Sequence, residues 1–279
     1  MFHSSKQGAA SPPGPTLDVA GKVVIVTGGT KGVGRGIATA FLSAGAYVVV
    51  CARKPPETPV TARVGGAADG PERTAHFVEA DVRDDAHIER VVKATVDAHG
   101  RIDVLVNNAG GTPFALAATA SPRYSASIIA LNLTAPLWFA TRANAVMQAQ
   151  ESGGSIINIA SVSGTRPSPG TGAYGAAKAG LLNLTQTLAV EWAPKVRVNA
   201  ITAGLLLTEQ SELHYGDAAG VAAVSRTVPL GRMGEPGDVA DACLFLASGL
   251  SRYMSGANLL LHGGGEWPAF LKAAEEGKK

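Results

Sequence analysis

Short apolar runs that do not alternate with polar residues set the strongest limit on how this chain can fold. Val23–Val26, Ala46–Ala52, His76–Ala80, Val104–Val106, Ile156–Ile159, Val196–Ile201 and Leu259–Leu261 are of this kind. A strand with one wet face alternates, so these runs predict strands covered on both faces, as in a parallel sheet. Between them lie segments of helical character: Ile37–Ala44, Asp85–His99, Tyr124–Gln150, Tyr174–Trp192 and Pro236–Ser248. Strand and helix in turn along the whole chain predict a doubly wound α/β domain. With 279 residues, 46% of them hydrophobic, the chain can fill one such core. No shift in composition marks a second domain.

Two stretches break the rhythm. A crossover helix belongs in Lys54–Thr74, but Pro55, Pro56, Pro59 and Pro71 sit there. Proline removes the donor a helix needs, so mostly loop is predicted. Residues 205–228 mix leucines, His214 and Tyr215 with small residues, which predicts a mobile lid. Residues 1–16, with their Pro, Gly and Ser, predict a flexible tail ahead of a domain over 17–265. Residues 266–279 form a C-terminal extension carrying Trp267, Pro268 and Phe270.

Charge and cysteine usage exclude several classes. A net charge of +2 is too small to argue for nucleic acid or an anionic membrane surface. Cys51 and Cys243 sit in apolar runs without a CxxC partner or a nearby His pair. That predicts no disulfide framework and no metal site, and it fits a reducing cytoplasm. No apolar stretch approaches the ~18 residues that would cross a bilayer.

The motifs carry the chemistry. Thr27-Gly28-Gly29-Thr30-Lys31-Gly32-Val33-Gly34 follows the first strand and opens a helix. Its glycines allow a tight turn and close approach of backbone to a diphosphate, and a helix N-terminus offers free N–H groups. Asp81-Val82 closes the third strand and Asn107-Asn108-Ala109-Gly110 the fourth. Ligands of open α/β sheets bind at these carboxyl ends, although turn chemistry alone also suits such residues. Ser161 precedes Tyr174, and Lys178 follows four residues later on the same helix face. A phenol titrates near pH ~10, and a neighbouring ammonium is expected to lower that value toward a useful general base.

In this order and spacing the motifs resemble the short-chain dehydrogenase/reductase family, from about Gly21 to Gly264. They include TGGTKGVG, DV, NNAG, Asn132 in IIALNL, Ser161 in INIASVSG, YGAAK, VRVNAITAG and VPLGRMGEPGDVA. The resemblance implies a single Rossmann-type domain with about seven parallel strands. It implies Tyr174 as general acid/base, Lys178 as its partner and ribose anchor, Ser161 as the group that orients the substrate oxygen, and Asn132 as the anchor of a relay water. It implies that Gly28, Thr30, Lys31, Gly32, Val33 and Gly34 line the diphosphate, Asp81 and Val82 the adenine, and Asn108, Ala109 and Gly110 the middle of the cofactor. Gly204 and Leu206 fall beside Thr208, which would meet the carboxamide. Ser163 is a further candidate for substrate contact.

The nearer resemblance is to bacterial 3-oxoacyl-[acyl-carrier-protein] reductases. It implies a homotetramer built on the helices that carry Asn132 and Tyr174. Trp138 and Phe139 either pack at that interface or belong to the core. The sequence departs from the family pattern at Ala203-Gly204, where Pro-Gly is usual. It departs again at Leu261-His262-Gly263-Gly264, where His262 replaces Asp.

An acidic residue after the second strand would hold an adenosine ribose and repel a 2′-phosphate. Arg53 and Lys54 stand there instead, with Lys31 in the glycine loop. NADP(H) is therefore favoured. NAD(H) stays open if Arg53 only stacks on adenine and Lys54 is solvated. The lid, with Leu205, Leu206, Leu207, Leu213, His214, Tyr215, Val221 and Val224, lacks a basic cluster. It predicts a hydrophobic ketone or secondary alcohol, such as a 3-oxoacyl thioester, an alicyclic or a steroid-like ring, with Ser161, Ser163, Leu205, His214 and Tyr215 as contacts. The competing functions are an NAD-dependent secondary-alcohol dehydrogenase, another enzyme class on this fold, and a non-catalytic cofactor-binding relative.

Overall fold

The computed structural model describes residues 17–209, 211 and 215–276. Seven parallel strands form one sheet: β1 (Val23–Thr27), β2 (Tyr47–Ala52), β5 (His76–Glu79), β6 (Val104–Asn107), β7 (Gly154–Ser161), β8 (Val196–Ala203) and β9 (Asn258–Leu261). Their order is β5-β2-β1-β6-β7-β8-β9. The chain starts in the middle, winds outward to β5, then returns to β6 beside β1 and winds the other way. The strand order reverses between β1 and β6, which opens a crevice at their carboxyl ends.

The missing alternation in the strand sequences follows from two cores. Val24 and Val26 of β1 and Val48 and Val50 of β2 face one layer, with Ile37 and Phe41 of α1 (Gly32–Ser43) and Val239, Cys243 and Leu246 of α7 (Pro236–Ala247). Ile25, Val49 and Cys51 face the other layer. There they meet α2 (Asp85–His99), α4 (Ala135–Ala149) and α5 (Gly172–Glu191) through Ile88, Phe139 and Leu188. Residues 23–26 of β1 and 48–51 of β2 are thus apolar whichever way they point. Cys51 and Cys243 are both buried free thiols.

Three segments differ from the sequence expectations. Residues 54–74 are not all loop: β3 (Thr61–Arg63) and β4 (Glu72–Thr74) pair antiparallel as a small hairpin. Arg35 of α1 holds the proline-rich approach to it, donating to the carbonyls of Thr58 and Pro59 at 2.9 and 2.8 Å. The helix expected over 124–150 is α3 (Pro122–Ile129) followed by α4, with a π-helical turn over Ala130–Thr134 between them. Within 205–228 a short helix, α6 (Ala218–Ser225), is present, and α8 (Ala269–Glu276) lies in the C-terminal extension. The tail 1–16, Leu213 and His214 lie outside the described residues. No helix among the described residues is long and apolar enough to cross a membrane.

Candidate active site

The crevice at the strand ends is a groove of about 450 Å³, within the range of small-molecule and cofactor clefts. Its first wall is the glycine loop. Gly28 and Gly32 sit at φ +64° and +52°, a region that side chains disfavour. A Cβ on Gly34 would fall 2.3 Å from the Gly28 carbonyl oxygen and 2.4 Å from Asn108 Nδ2. The loop therefore closes flat against β6. Asn108 Nδ2 donates to the Thr27 carbonyl at 2.9 Å, and Thr27 Oγ1 accepts from the N–H groups of Asn108 and Ala109 at 3.0 and 2.9 Å.

The first turn of α1 then faces the groove without a cap. Lys31 makes no side-chain cap there, whereas Asp84 caps α2 and Ser121 caps α3. The bare N–H groups of that turn, in a cradle that any Cβ would fill, fit a dinucleotide diphosphate.

At the adenosine end lie Arg53, Asp81, Val82 and a residue the sequence reading missed, Arg83. Arg83 clamps Asp81 with Nε at 2.9 Å and Nη2 at 2.6 Å. This pair holds the Asp81 carboxyl down at about 2, with Arg53 adding a smaller pull. Counting Lys31, Arg53 and Arg83 against Asp81 and Glu209, three cations face two carboxylates, a surplus of one positive charge. Lys54 is exposed and does not line the groove. The only sequence signal for Arg83 was its place directly after the Asp81-Val82 motif.

At the opposite end β7 delivers Ser161, and α5 delivers Tyr174 and Lys178. Glycines let these elements meet: a Cβ on Gly175 would be 2.7 Å from the Ser163 carbonyl oxygen. Below them a buried polar chain locks the layers. Asn107 Nδ2 donates to Asn158 Oδ1 at 2.9 Å, and Asn158 Nδ2 donates to Thr185 Oγ1 at 2.9 Å. Ser161 Oγ accepts from the Ser163 N–H at 3.2 Å, which leaves its own proton to donate.

Lys178 is buried; its Nζ donates to the Ile159 carbonyl at 2.7 Å and stands 5.6 Å from the centre of the Tyr174 ring. Burial pulls the ammonium down to about 8, so it is still cationic at neutral pH. Tyr174 departs from expectation. Burial pushes its phenol up, the Ser161 hydroxyl opposes this, and Tyr215 adds to the rise. Desolvation therefore sets the direction, and Lys178 is not among the groups that move this phenol, contrary to what the sequence suggested.

Asn132 sits on the π turn, fully buried behind the groove. Its Nδ2 donates to the carbonyls of Gly111 and Ile128 at 3.0 and 2.9 Å, and its Oδ1 accepts from the Gly111 N–H at 2.9 Å. The widened turn frees the Ile128 carbonyl that the side chain then satisfies. The amide thus fixes the strand-end loop and does not itself line the groove.

The groove also gathers Gly28, Thr30, Lys31, Gly32, Val33, Gly34, Ala109, Gly110, Gly204, Leu206 and Thr208. Ser163 turns instead toward Ser168, with the two hydroxyl oxygens 3.2 Å apart. Leu205 lines a neighbouring cavity. Glu209, also unforeseen, lies over the α1 N-terminus, 3.6 Å from where a Cβ on Gly32 would be. No cluster of His, Cys, Asp or Glu among the described residues could hold a metal ion.

A short-chain dehydrogenase model described as enoyl-(acyl carrier protein) reductase matches residues 28–266. An oxidoreductase of Mycobacterium tuberculosis is 37% identical over 88% of this chain and 93% of its own. A 3-oxoacyl-[acyl-carrier-protein] reductase of Chlamydia pneumoniae is 35% identical over 89% of this chain and 98% of its own. Among solved structures, the ligand-free aldohexose dehydrogenase of Thermoplasma acidophilum superposes with a TM-score of 0.79. It is 29% identical, covering 89% of this chain and 95% of that one.

Proposed function

The chain belongs to the short-chain dehydrogenase/reductase family of oxidoreductases that act on CH–OH groups with NAD(P), and we propose that it interconverts a ketone and a secondary alcohol with NADP(H). The observation that carries this reading is the convergence of Ser161, Tyr174 and Lys178 at one end of a groove whose other end is cationic. A nicotinamide cofactor held by the glycine loop and Lys178 would, when bound, supply the hydride chemistry. Tyr174 gives the proton to the carbonyl oxygen, or removes it from the alcohol. Ser161 donates a hydrogen bond to the same oxygen and orients it. Lys178, cationic near neutral pH, stabilises the phenolate that Tyr174 becomes in the reductive direction. Asn132 supports the proton relay from behind by fixing Gly111.

Arg53 and Lys31 read the 2′-phosphate and diphosphate, with Arg83 holding Asp81 neutralised beside them. Charge-assisted bonds to phosphate favour NADPH over NADH. Leu205, Leu206 and Leu207 suit a substrate with an apolar body. Ile129, Trp138 and Val190 are exposed on α3, α4 and α5, while Phe139 is core; these exposed apolar side chains suit the helix contacts of a homotetramer. Two free buried thiols suit a cytoplasmic location.

The test is Tyr174→Phe, assayed for NADPH oxidation against a panel of apolar ketones. The variant is expected to fold, to bind NADPH as the parent does, and to lose turnover by about 10²–10⁴-fold. Near-parental turnover would remove Tyr174 from the proton transfer.

A further inference from the structure

A second cavity, of about 300 Å³, opens at the carboxyl ends of the last strands and meets the cofactor groove at Gly204. Its walls include Val162, Arg166, Leu205, His262 and Glu266. One of these, His262, lies where the sequence leaves the family pattern, and Glu266 is the last residue that the family model matches. Arg166 Nη2 donates to Glu266 Oε1, and Arg166 Nη1 donates to the Pro167 carbonyl at 3.1 Å. Each side chain of the pair is about one-third exposed, so it is held in place yet open to a ligand. The geometric link to the chemistry is Gly204, which lines both this cavity and the groove that holds Ser161, Tyr174 and Lys178.

Gly264 and Gly265 line this cavity at positive φ, 95° and 87°. A Cβ on Gly265 would come within 3.3 Å of the His262 ring. Bare backbone therefore passes where side chains would fill the space.

We propose that the Arg166–Glu266 pair is the specificity-determining far wall of the substrate chamber, and that it takes a neutral, hydroxyl-bearing arm of the ketone. The inference rests on the oxidoreductase reading above and narrows its substrate class. A guanidinium only donates and a carboxylate only accepts, so together they satisfy both sides of a hydroxyl group. An anionic arm is drawn to Arg166 and repelled by Glu266, and a cationic arm the reverse, so the pair of net charge zero favours neither. A wholly apolar arm would cover the pair and strip water from it without replacing the lost bonds. An apolar body against Leu205 and Leu206 with a hydroxylated end satisfies both surfaces.

The experiment uses the full chain in two readouts. The first is turnover with NADPH of cyclohexanone and of 4-hydroxycyclohexanone. The second is calorimetric binding of cyclohexanol and of trans-cyclohexane-1,4-diol in the presence of NADP+. The parent, Arg166→Met, Glu266→Gln and the double variant are compared, and NADPH titration of each verifies its fold. The parent is expected to prefer the hydroxylated probe by about tenfold in kcat/KM, mainly through KM. Each single variant is expected to remove most of that preference, through a higher KM for the hydroxylated probe.

Diol preference in binding that is lost in the variants, without turnover of either ketone, would uphold the wall and overturn the ketoreductase reading. Turnover of both ketones with no hydroxyl preference would overturn the wall alone. A preference that survives both single variants, or an equal fall for both probes, would also overturn it. Neither turnover nor diol binding would overturn both.

Discussion

The two ends of the groove are built by different means. At the cofactor end the shape is a property of backbone: glycines at positive φ, a flush contact of Gly34 on Gly28, and an uncapped helix start. At the opposite end the shape is a property of side chains brought from distant segments: Ser161 from β7, and Tyr174 and Lys178 from α5. Backbone-defined surface admits one ligand geometry and tolerates little change. Side-chain-defined surface can change its substrate without moving the fold.

That contrast can be broken most sharply at Gly34. Gly34→Ala would force a Cβ into the Gly28 carbonyl and the Asn108 amide, neither a free side-chain end. It is expected to weaken NADPH binding by more than about tenfold and to lower Tm, both read by titration and melting. By contrast Gly172→Ala, at the start of α5, meets nothing within 4 Å and is expected to leave both unchanged or slightly improved. Equal effects at the two glycines would erase the distinction.

Lys178 joins the two ends and gives a pH signature. Its folded value is about 8, against about 10.4 in an unfolded chain. Between these values the unfolded chain binds the extra proton, so this residue makes stability rise with pH. The cost of holding the ammonium buried is full below pH ~8 and is relieved toward pH ~10.4. Cys51, whose thiol burial pushes up to about 12, acts in the opposite direction as its unfolded counterpart ionises near pH ~8.5. The difference between the parent and Lys178→Met therefore isolates the effect. In urea melts that difference is expected to shift toward the parent from pH 8 to 10 and to stay flat below pH 7. A flat difference throughout would contradict the assignment.

The smallest expected effect is at Glu209. Its carboxylate lies over the α1 N-terminus, where a diphosphate would be bound. Glu209→Gln is expected to tighten NADPH binding by about two- to fivefold, an electrostatic gain of roughly 0.3–1 kcal/mol. Unchanged affinity would show that the side chain leaves the site at no cost.

The same contrast explains what was legible in the sequence. The parallel sheet was readable because both faces of β1, β2 and β6 to β8 are buried, so their residues are apolar in succession. The glycine loop, Asn108–Gly110, Ser161, Tyr174 and Lys178 were readable because local spacing fixes their geometry. The hairpin at 61–74 was not, since its order comes from Arg35 on another element. Glu209 and the Arg166–Glu266 pair were not either, because each contact joins segments far apart in the chain. The raised Tyr174 phenol escaped for a related reason: spacing announces a charged neighbour, but burial is a property of the assembled fold.

Fluorescence titration of the parent chain and of Arg53→Ala with NADPH and with NADH, at one ionic strength, tests the cofactor end most directly. The parent is expected to bind NADPH at least about tenfold more tightly than NADH. Arg53→Ala is expected to lose most of that margin while its NADH affinity stays the same. Tighter binding of NADH by the parent, or a margin that survives Arg53→Ala, would contradict Arg53 as the phosphate reader. Binding of neither nucleotide would contradict the groove as a cofactor site.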